Sequence, residues 1–263
     1  LYFPTSHMHE SKSRRALLVG APTAGLRGVE RDVGRMGELL SAWDFDSQVC
    51  VGPAATREGI LSATQLLVAT ATISTTLVFY FAGHGGQYLV GHDHANWRLL
   101  VLDYLAPTRD RSSGEHCGVL LLEVLNLLKG HSRNVTMIFD CGYVMTRPRT
   151  SMERVRALPM QEVAWQELPV RYASIEAMSH QLRTKLEYRH HVTVSATKPG
   201  AAAFEAEIAG HVSGHLTAEL CASLMPVRQS PQPWASIIEN VRRRIVERRA
   251  SWTQDPQVFG DKA

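Results

Sequence analysis

Two short segments of this 263-residue sequence place residues capable of chemistry directly after apolar runs. Residues 82–86 read AGHGG and follow the run 76–81, whereas residues 140–143 read DCGY and follow the run 134–139. Histidine, aspartate and cysteine side chains transfer protons or attack carbonyl carbons in many enzymes. Glycine lets a backbone approach a bound molecule closely. The two segments are therefore the candidates for a functional site.

The elements that must position these segments alternate between strands and helices. Short apolar runs bounded by charge or glycine predict buried strands, and apolar residues at three- and four-residue steps predict helices packed on one face. Thr56 is a candidate helix N-cap. The predicted strands cover 15–21, 47–51, 76–81, 98–102, 134–141 and 191–196, and the predicted helices cover 26–43, 55–71, 119–128, 216–225 and 235–249.

This alternation predicts an α/β fold with a mostly parallel sheet and helices on both faces. Functional sites of such sheets lie outside the carboxyl ends of the strands. Segments 82–86 and 140–143 both fall at such ends. Residues 147–189 are rich in Arg, Glu and Met, and we expect an exposed inserted loop with one or two helices.

The composition of the chain argues against two classes of binding partner, lipid bilayers and nucleic acids. The chain carries 28 basic and 25 acidic residues, a net charge of about +3, and its apolar runs are shorter than a bilayer requires. We expect neither a membrane span nor nucleic-acid binding. The basic run 242–244 is flanked by Glu239 and Glu247, as on a solvated helix face.

The cysteines predict a reducing, cytoplasmic setting, because no two of them are close in sequence and no disulfide or zinc pattern results. They are Cys50, Cys117, Cys141 and Cys221. Residues 1–8 resemble the remnant of a cleavable expression tag, and we expect residues 9–263 to form a single domain.

The order of motifs resembles the caspase and metacaspase superfamily, most closely the caspase-like domains of fungi. The resemblance extends over about 240 residues and lies in several motifs that occur in the family's order. They are ALLVG at 16–20, LRGVERD at 26–32, FYFAGHG at 79–85, NVTMIFDC at 134–141, HVTVSAT at 191–197, GHLT at 214–217 and DPQVFG at 255–260.

The resemblance implies a caspase-like three-layer sandwich and a cysteine endopeptidase that cleaves after Arg or Lys. His84 matches the histidine of the family's Cys/His dyad, and Gly83 matches the oxyanion-hole glycine. Asp32 and Asp140 match the acidic groups that bind a basic side chain, and Ala82 stands where many members have a pocket-lining serine. Carboxylates of this kind suit a guanidinium.

The decisive departure is Gly142, which occupies the position of the nucleophilic cysteine. Without a side chain there, acyl transfer at that position is impossible. Cys141 is adjacent, but strand side chains alternate between faces, so it should point away from His84 and serve as a core residue. Tyr143 and Val144 also replace the family's His and Ser, which favours a natural pseudoenzyme over an engineered inactivation; both origins stay open.

Three functions are consistent with these residues. The first is a pseudoprotease that binds Arg- or Lys-containing segments or regulates an active relative. The second is an inactivated variant of an Arg/Lys-specific cysteine endopeptidase. The third is a new activity with Cys141 as the alternative nucleophile. The resemblance also implies that the domain is a monomer. In an active relative, the basic residues of the insertion would be cleavage sites: Arg147, Arg149, Arg154, Arg156, Arg171, Arg183 and Lys185.

No cofactor or metal is expected from the residue pattern. Some family members bind calcium, and Asp93, Asp103 and Asp110 are the acidic residues in the corresponding irregular stretch. Their spacing differs from that of a twelve-residue calcium loop. Calcium is therefore implied by the resemblance alone.

Overall fold

The structure is a computed structural model that describes residues 13–92, 95–102, 118–128, 130–143, 153–158, 161–162, 191–198, 201–226, 232–248 and 254–260. The strands are β1 (Arg14–Gly20), β2 (Asp46–Val51), β3 (Thr76–Ala82), β4 (Gly85–His92), β5 (Ala95–Leu102), β6 (Val119–Leu120), β7 (Asn134–Asp140), β8 (Arg154–Val155), β9 (Gln161–Glu162), β10 (His191–Ser195), β11 (Phe204–Ile208), β12 (His211–Gly214) and β13 (Gln257–Phe259). The helices are α1 (Val29–Ala42), α2 (Arg57–Ala69), α3 (Leu121–Leu128), α4 (His215–Leu224) and α5 (Trp234–Arg248).

The central sheet has the strand order β13-β10-β7-β3-β1-β2. Neighbouring strands are parallel, except that β13 pairs antiparallel with β10. The prediction of a mostly parallel sheet is confirmed. Parallel strands need crossover connections, and the amphipathic helices between them provide these connections.

Side chains of the central sheet alternate between two hydrophobic cores, as the period of a strand requires. Leu18 and Tyr80 face α1, α4 and α5 on one side. Leu17 and Phe79 face α2 and α3 on the other side. Helices therefore cover both faces, which confirms the three-layer arrangement.

Two smaller sheets lie beside the central one, with the orders β12-β11-β8 and β6-β5-β4-β9. The sequence prediction did not include β4, β11 or β12. It also began the third helix at residue 119, whereas β6 occupies 119–120 and α3 begins at Leu121. The two-residue β6 is too short to show a periodicity, and β4, β11 and β12 depend on antiparallel pairing within the smaller sheets.

The prediction of an exposed loop over residues 147–189 is wrong for residues 153–158. This segment contains β8, and Val155, Arg156 and Ala157 are buried. Residues 161–162 form β9 instead of loop or helix. The other predicted cleavage sites of this insertion, except Arg154, lie outside the described residues, as does the tag remnant 1–8.

None of the described helices is both long and apolar enough to cross a lipid bilayer.

Helix α2 begins as the sequence predicted, with Thr56 at the N-cap. The Thr56 hydroxyl accepts a 3.0 Å hydrogen bond from the Gly59 N–H and so satisfies one of the unpaired donors of the first turn. The Thr56→Ala substitution is expected to lower the free energy of unfolding by about 1 kcal/mol, measured by urea denaturation. Thr56→Ser keeps the acceptor and should remain within a few tenths of the parent value; an equal loss in both variants would contradict the capping role.

Candidate active site

The candidate site lies at the carboxyl ends of β1, β3 and β7. In the sheet register Gly20 is opposite Ala82, and Ala82 is opposite Asp140. His84 follows β3 and is buried, and Gly142 follows β7. The two segments that the sequence marked as candidates are therefore adjacent.

Two backbone N–H groups from these segments converge on one carbonyl oxygen. The Gly142 N–H donates to the Arg156 carbonyl at 2.8 Å, and the Gly85 N–H donates to the same oxygen at 3.2 Å. Two convergent N–H donors are the arrangement that stabilises an oxyanion in acyl transfer. The donors are Gly85 and Gly142, whereas the sequence analysis assigned this role to Gly83.

The side chain of the same Arg156 occupies a buried acidic pocket. One guanidinium nitrogen pairs with the Asp32 carboxylate and lies 3.3 Å from Glu205 Oε2. The other lies 3.2 Å from Asp140 Oδ2. All four side chains are completely buried. The structure thus brings the predicted pair Asp32 and Asp140 around a guanidinium and adds Glu205.

Backbone and hydroxyl donors hold the carboxylates Asp32 and Asp140 in place. Asp32 accepts hydrogen bonds from the Ser213 hydroxyl and from the Gly214 N–H, the latter at 2.9 Å. Asp140 accepts a 3.0 Å bond from the Thr217 N–H. These partners offset much of the cost of burying the two carboxylates, and Asp140 Oδ1 is the one oxygen of the pair with no hydrogen-bond partner among the described residues.

Glu205 joins this pocket to the beginning of α1. Its carboxylate accepts hydrogen bonds from the N–H groups of Arg27 at 2.9 Å and Gly28 at 3.1 Å, and Gly28 is the N-cap of the helix. A negative charge at a helix N-terminus is favourable because the helix dipole is positive there. Glu205 therefore orients α1, which carries Asp32.

The electrostatics of the pocket favour a cation. Among the described residues, one guanidinium faces three carboxylates. The pKa of Asp32 is raised to about 6, because burial and the nearby Asp140 raise it by more than Arg156 and the hydrogen bonds from Ser213 and Gly214 lower it. Burial lowers the pKa of Arg156, but the carboxylates outweigh this effect and raise it above its ordinary value. The arginine is therefore charged at any physiological pH.

Residues 153–158, which we call the arginine strand, are also bound through their backbone. The Arg156 N–H donates to the Ala203 carbonyl at 2.8 Å, and the Leu158 N–H donates to the Gly85 carbonyl at 2.7 Å. Within this strand β8 pairs antiparallel with β11. The prediction that Arg156 lies in an exposed loop is wrong, because these contacts enclose it.

Cys141 faces away from the pocket. Its side chain lies in the core beneath α2 and α3, and burial raises the pKa of its thiol to about 12. A thiol in this state supplies almost no thiolate at neutral pH, and the thiolate is the nucleophilic form. The neighbouring Tyr143 is buried in the same core and interacts with this thiol.

The backbone at Gly142 and Gly85 leaves no room for side chains. A Cβ on Gly142 would lie 2.6 Å from the Ala203 nitrogen, closer than real Cβ contacts. A Cβ on Gly85 would overlap the Gly142 carbonyl oxygen and lie 3.0 Å from Cys141 Sγ. The two donor segments thus approach each other and residues 202–203 closely because both positions are glycine.

The other residues predicted from the sequence lie near the pocket or outside the described part of the chain. Ala82 is buried in the core beneath α1 and α4, on the same side of the sheet as the pocket. Gly83 lies against Ala21, and a Cβ there would be 2.9 Å from Phe81 Cζ. Residues 93, 103 and 110, considered for calcium, lie outside the described part of the chain, and within that part no cluster of three or more His, Cys, Asp or Glu could hold a metal ion.

Sequence reasoning missed Glu205 and misplaced Arg156. Glu205 lies in the strand FEAEI, in which Glu207 occupies the same face two residues later. Glu205 is buried, whereas Glu207 is exposed. Contacts from residues distant in sequence, the Arg156 guanidinium and the Arg27 and Gly28 N–H groups, distinguish Glu205 from Glu207. Arg156 was one of many basic residues in its region, and no local signal separated it from the others.

The sheet is mostly parallel and is covered by helices on both faces, and the histidine loop lies next to the loop after β7. A caspase-like α/β domain has this arrangement. The family model described as "Caspase domain" matches residues 13–262. The chain belongs to this family, which also supports the relationship to cysteine peptidases. No curated protein matches the sequence.

The fold is also similar to that of a solved structure, protein GSU0716 from Geobacter sulfurreducens. The TM-score is 0.61, and the match covers 95% of this chain and 94% of that chain. The sequence identity is 16%, so this likeness concerns the fold.

Gly214 tests how closely the pocket encloses the guanidinium. A Cβ there would overlap Asp140 Oδ2 and lie 2.5 Å from an Arg156 guanidinium nitrogen. Gly214→Ala is therefore expected to lower the free energy of unfolding by about 2–4 kcal/mol in urea denaturation. The control is Gly34→Ala in α1, where the added Cβ meets open space, and it should stabilise by about 0.5–1 kcal/mol. A Gly214→Ala protein as stable as the parent would contradict the close enclosure.

Ionisation of Asp32 should make the free energy of unfolding depend on pH. Because its pKa is about 6 in the folded state and ordinarily 3.8, the folded state binds the proton more tightly. The resulting stabilisation is fully present below about pH 4 and is lost as pH rises through about 6, on the order of 3 kcal/mol in total. Relative to Asp32→Asn, the parent should lose stability between pH 4 and pH 6 in thermal unfolding. Parallel curves for the two proteins would contradict this assignment.

Proposed function

We propose that this domain is a pseudoprotease of the metacaspase type, related to the fungal caspase-like domains, that binds Arg- or Lys-containing protein segments without cleaving them. The observation that carries this proposal is the combination of a complete binding site with a missing nucleophile. Arg156 is held at both its guanidinium and its carbonyl, and Gly142 is the residue beside that carbonyl.

The geometry supports binding in three ways. The acidic pocket recognises the basic side chain, the Gly85 and Gly142 N–H groups hold its carbonyl, and β11 pairs with the backbone of the bound strand. Each of these interactions uses groups that remain when catalysis is lost. A domain of this kind would regulate an active relative or sequester basic segments, as a cytoplasmic monomer.

Catalysis would need a thiolate where Gly142 stands. The thiolate would attack the carbonyl carbon, the two N–H groups would stabilise the oxyanion, and His84 would protonate the leaving amine before water released the acyl group. Cys141 does not substitute for this group, because it is buried on the opposite face with a raised pKa.

The second candidate function is an Arg/Lys-specific cysteine endopeptidase in which Gly142 replaces a native cysteine. It is favoured by the retention of His84 and of the acidic pocket. The contact between a Cβ at position 142 and the Ala203 nitrogen weighs against it, since a cysteine would have to displace residues 202–203.

The experiment that separates the two candidates introduces the thiol. Gly142→Cys is assayed with fluorogenic peptides ending in Arg, Lys or Asp, with and without calcium, alone and combined with Arg156→Ala so that the internal arginine does not block the pocket. We expect no cleavage, because the cysteine is not accommodated beside Ala203. Mass spectrometry of the variant checks for self-cleavage at the Arg156–Ala157 bond.

Gly142→Ala is the matched control, because it adds the same Cβ without a thiol. Equal losses of thermal stability in the alanine and cysteine variants would show that the crowding arises from the Cβ. Cleavage after Arg or Lys that disappears on adding His84→Ala would overturn the pseudoprotease proposal and establish the endopeptidase.

A further inference from the structure

The arginine strand, residues 153–158, occupies the site in the manner of a bound peptide. Its Arg156 N–H, Arg156 carbonyl and Leu158 N–H are paired with backbone groups of Ala203, Gly142 and Gly85. A bridge of parallel type joins Ala157 to Gly85. These are main-chain contacts that any extended segment of suitable side chains can make.

The side-chain contacts that bind this strand are concentrated at Arg156. Only two of its residues, Arg154 and Val155, form a ladder with β11. By contrast, the Arg156 side chain contacts three carboxylates and is fully buried. The pocket cannot be left empty at low cost, because uncompensated buried carboxylates would remain.

We propose that the arginine strand is a resident internal ligand, and that an extended peptide containing arginine binds in trans by displacing it. This inference rests on the proposed function and identifies what regulates access to the site. Exchange of one guanidinium for another conserves the charge of the pocket and both backbone donors. The tethered strand competes at an effective concentration of order millimolar, which weakens binding of any external segment.

The chemistry of the pocket also specifies the displacing segment. The carboxylates contact two different guanidinium nitrogens, one near Asp140 and one near Asp32 and Glu205. An arginine side chain can place one guanidinium nitrogen at each of these two positions, whereas a lysine side chain has a single nitrogen. The next residue of the strand, Ala157, is completely buried, so a segment that continues with a small residue matches this position.

The test measures binding of the strand's own sequence to the full chain. The probe is a fluorescein-labelled peptide Glu-Arg-Val-Arg-Ala-Leu, amidated at its C-terminus, and the readout is fluorescence anisotropy. Arg156→Ala removes the internal guanidinium and is expected to bind the probe at least tenfold more tightly than the parent. A probe with alanine in place of the second arginine should not bind either protein.

Arg154→Ala is the matched control, because Arg154 belongs to the same strand but its side chain donates to the Gly25 carbonyl and not to the pocket. It should bind the probe as the parent does. Equal affinity of the parent and Arg156→Ala would overturn the displacement mechanism while leaving the proposed binding function intact. Absence of binding to folded Arg156→Ala would overturn both.

Thermal unfolding provides a second measurement if Arg156→Ala is unstable without ligand. A ligand that fills the emptied pocket should restore folding, because binding to the folded state alone raises its apparent stability. We therefore expect N-acetylarginine amide to raise the melting temperature of Arg156→Ala but not that of the parent, and N-acetylnorleucine amide to have no effect. A variant whose unfolding is unaffected by the arginine compound would overturn the proposal.

Discussion

The buried guanidinium of Arg156 links parts of the chain that are far apart in sequence. Its carboxylate partners come from α1, from the end of β7 and from β11, and none of the groups reaches solvent. Removal of one partner from a buried ion cluster typically costs about 3–5 kcal/mol, because the remaining charges stay desolvated. The relative positions of α1, β11 and the two candidate loops therefore depend on this cation.

Close backbone approach is the second constraint on the site. Gly85, Gly142 and Gly214 each lie where a Cβ would overlap a neighbouring backbone or pocket atom. The same glycine that makes Gly142 unable to attack a carbonyl also allows its N–H to hold one at 2.8 Å. The absence of a nucleophilic side chain and the presence of a carbonyl-binding N–H group are thus compatible at a single position.

A caspase-like fold accommodates both enzymes and binding domains, so the fold alone does not decide the activity. The burial and the contacts of individual side chains in the site are what bear on the activity of this chain. Burial excludes Cys141 as a nucleophile, whereas Asp32, Asp140 and Glu205 still bind a guanidinium. The site binds the guanidinium of Arg156, and position 142 has no side chain that could attack a carbonyl.

The sequence by itself determined the alternation of strands and helices, the N-cap at Thr56, and the placement of His84, Asp140 and Gly142 at strand ends, because these features depend on local periodicity and on short motifs. Tertiary structure alone decided that Glu205 joins the pocket, that Gly85 supplies the second N–H donor, and that Arg156 is enclosed and not exposed. Each of these results depends on contacts between residues far apart in sequence. A buried charge is stabilised by its partners in space, and neighbouring sequence carries no record of them.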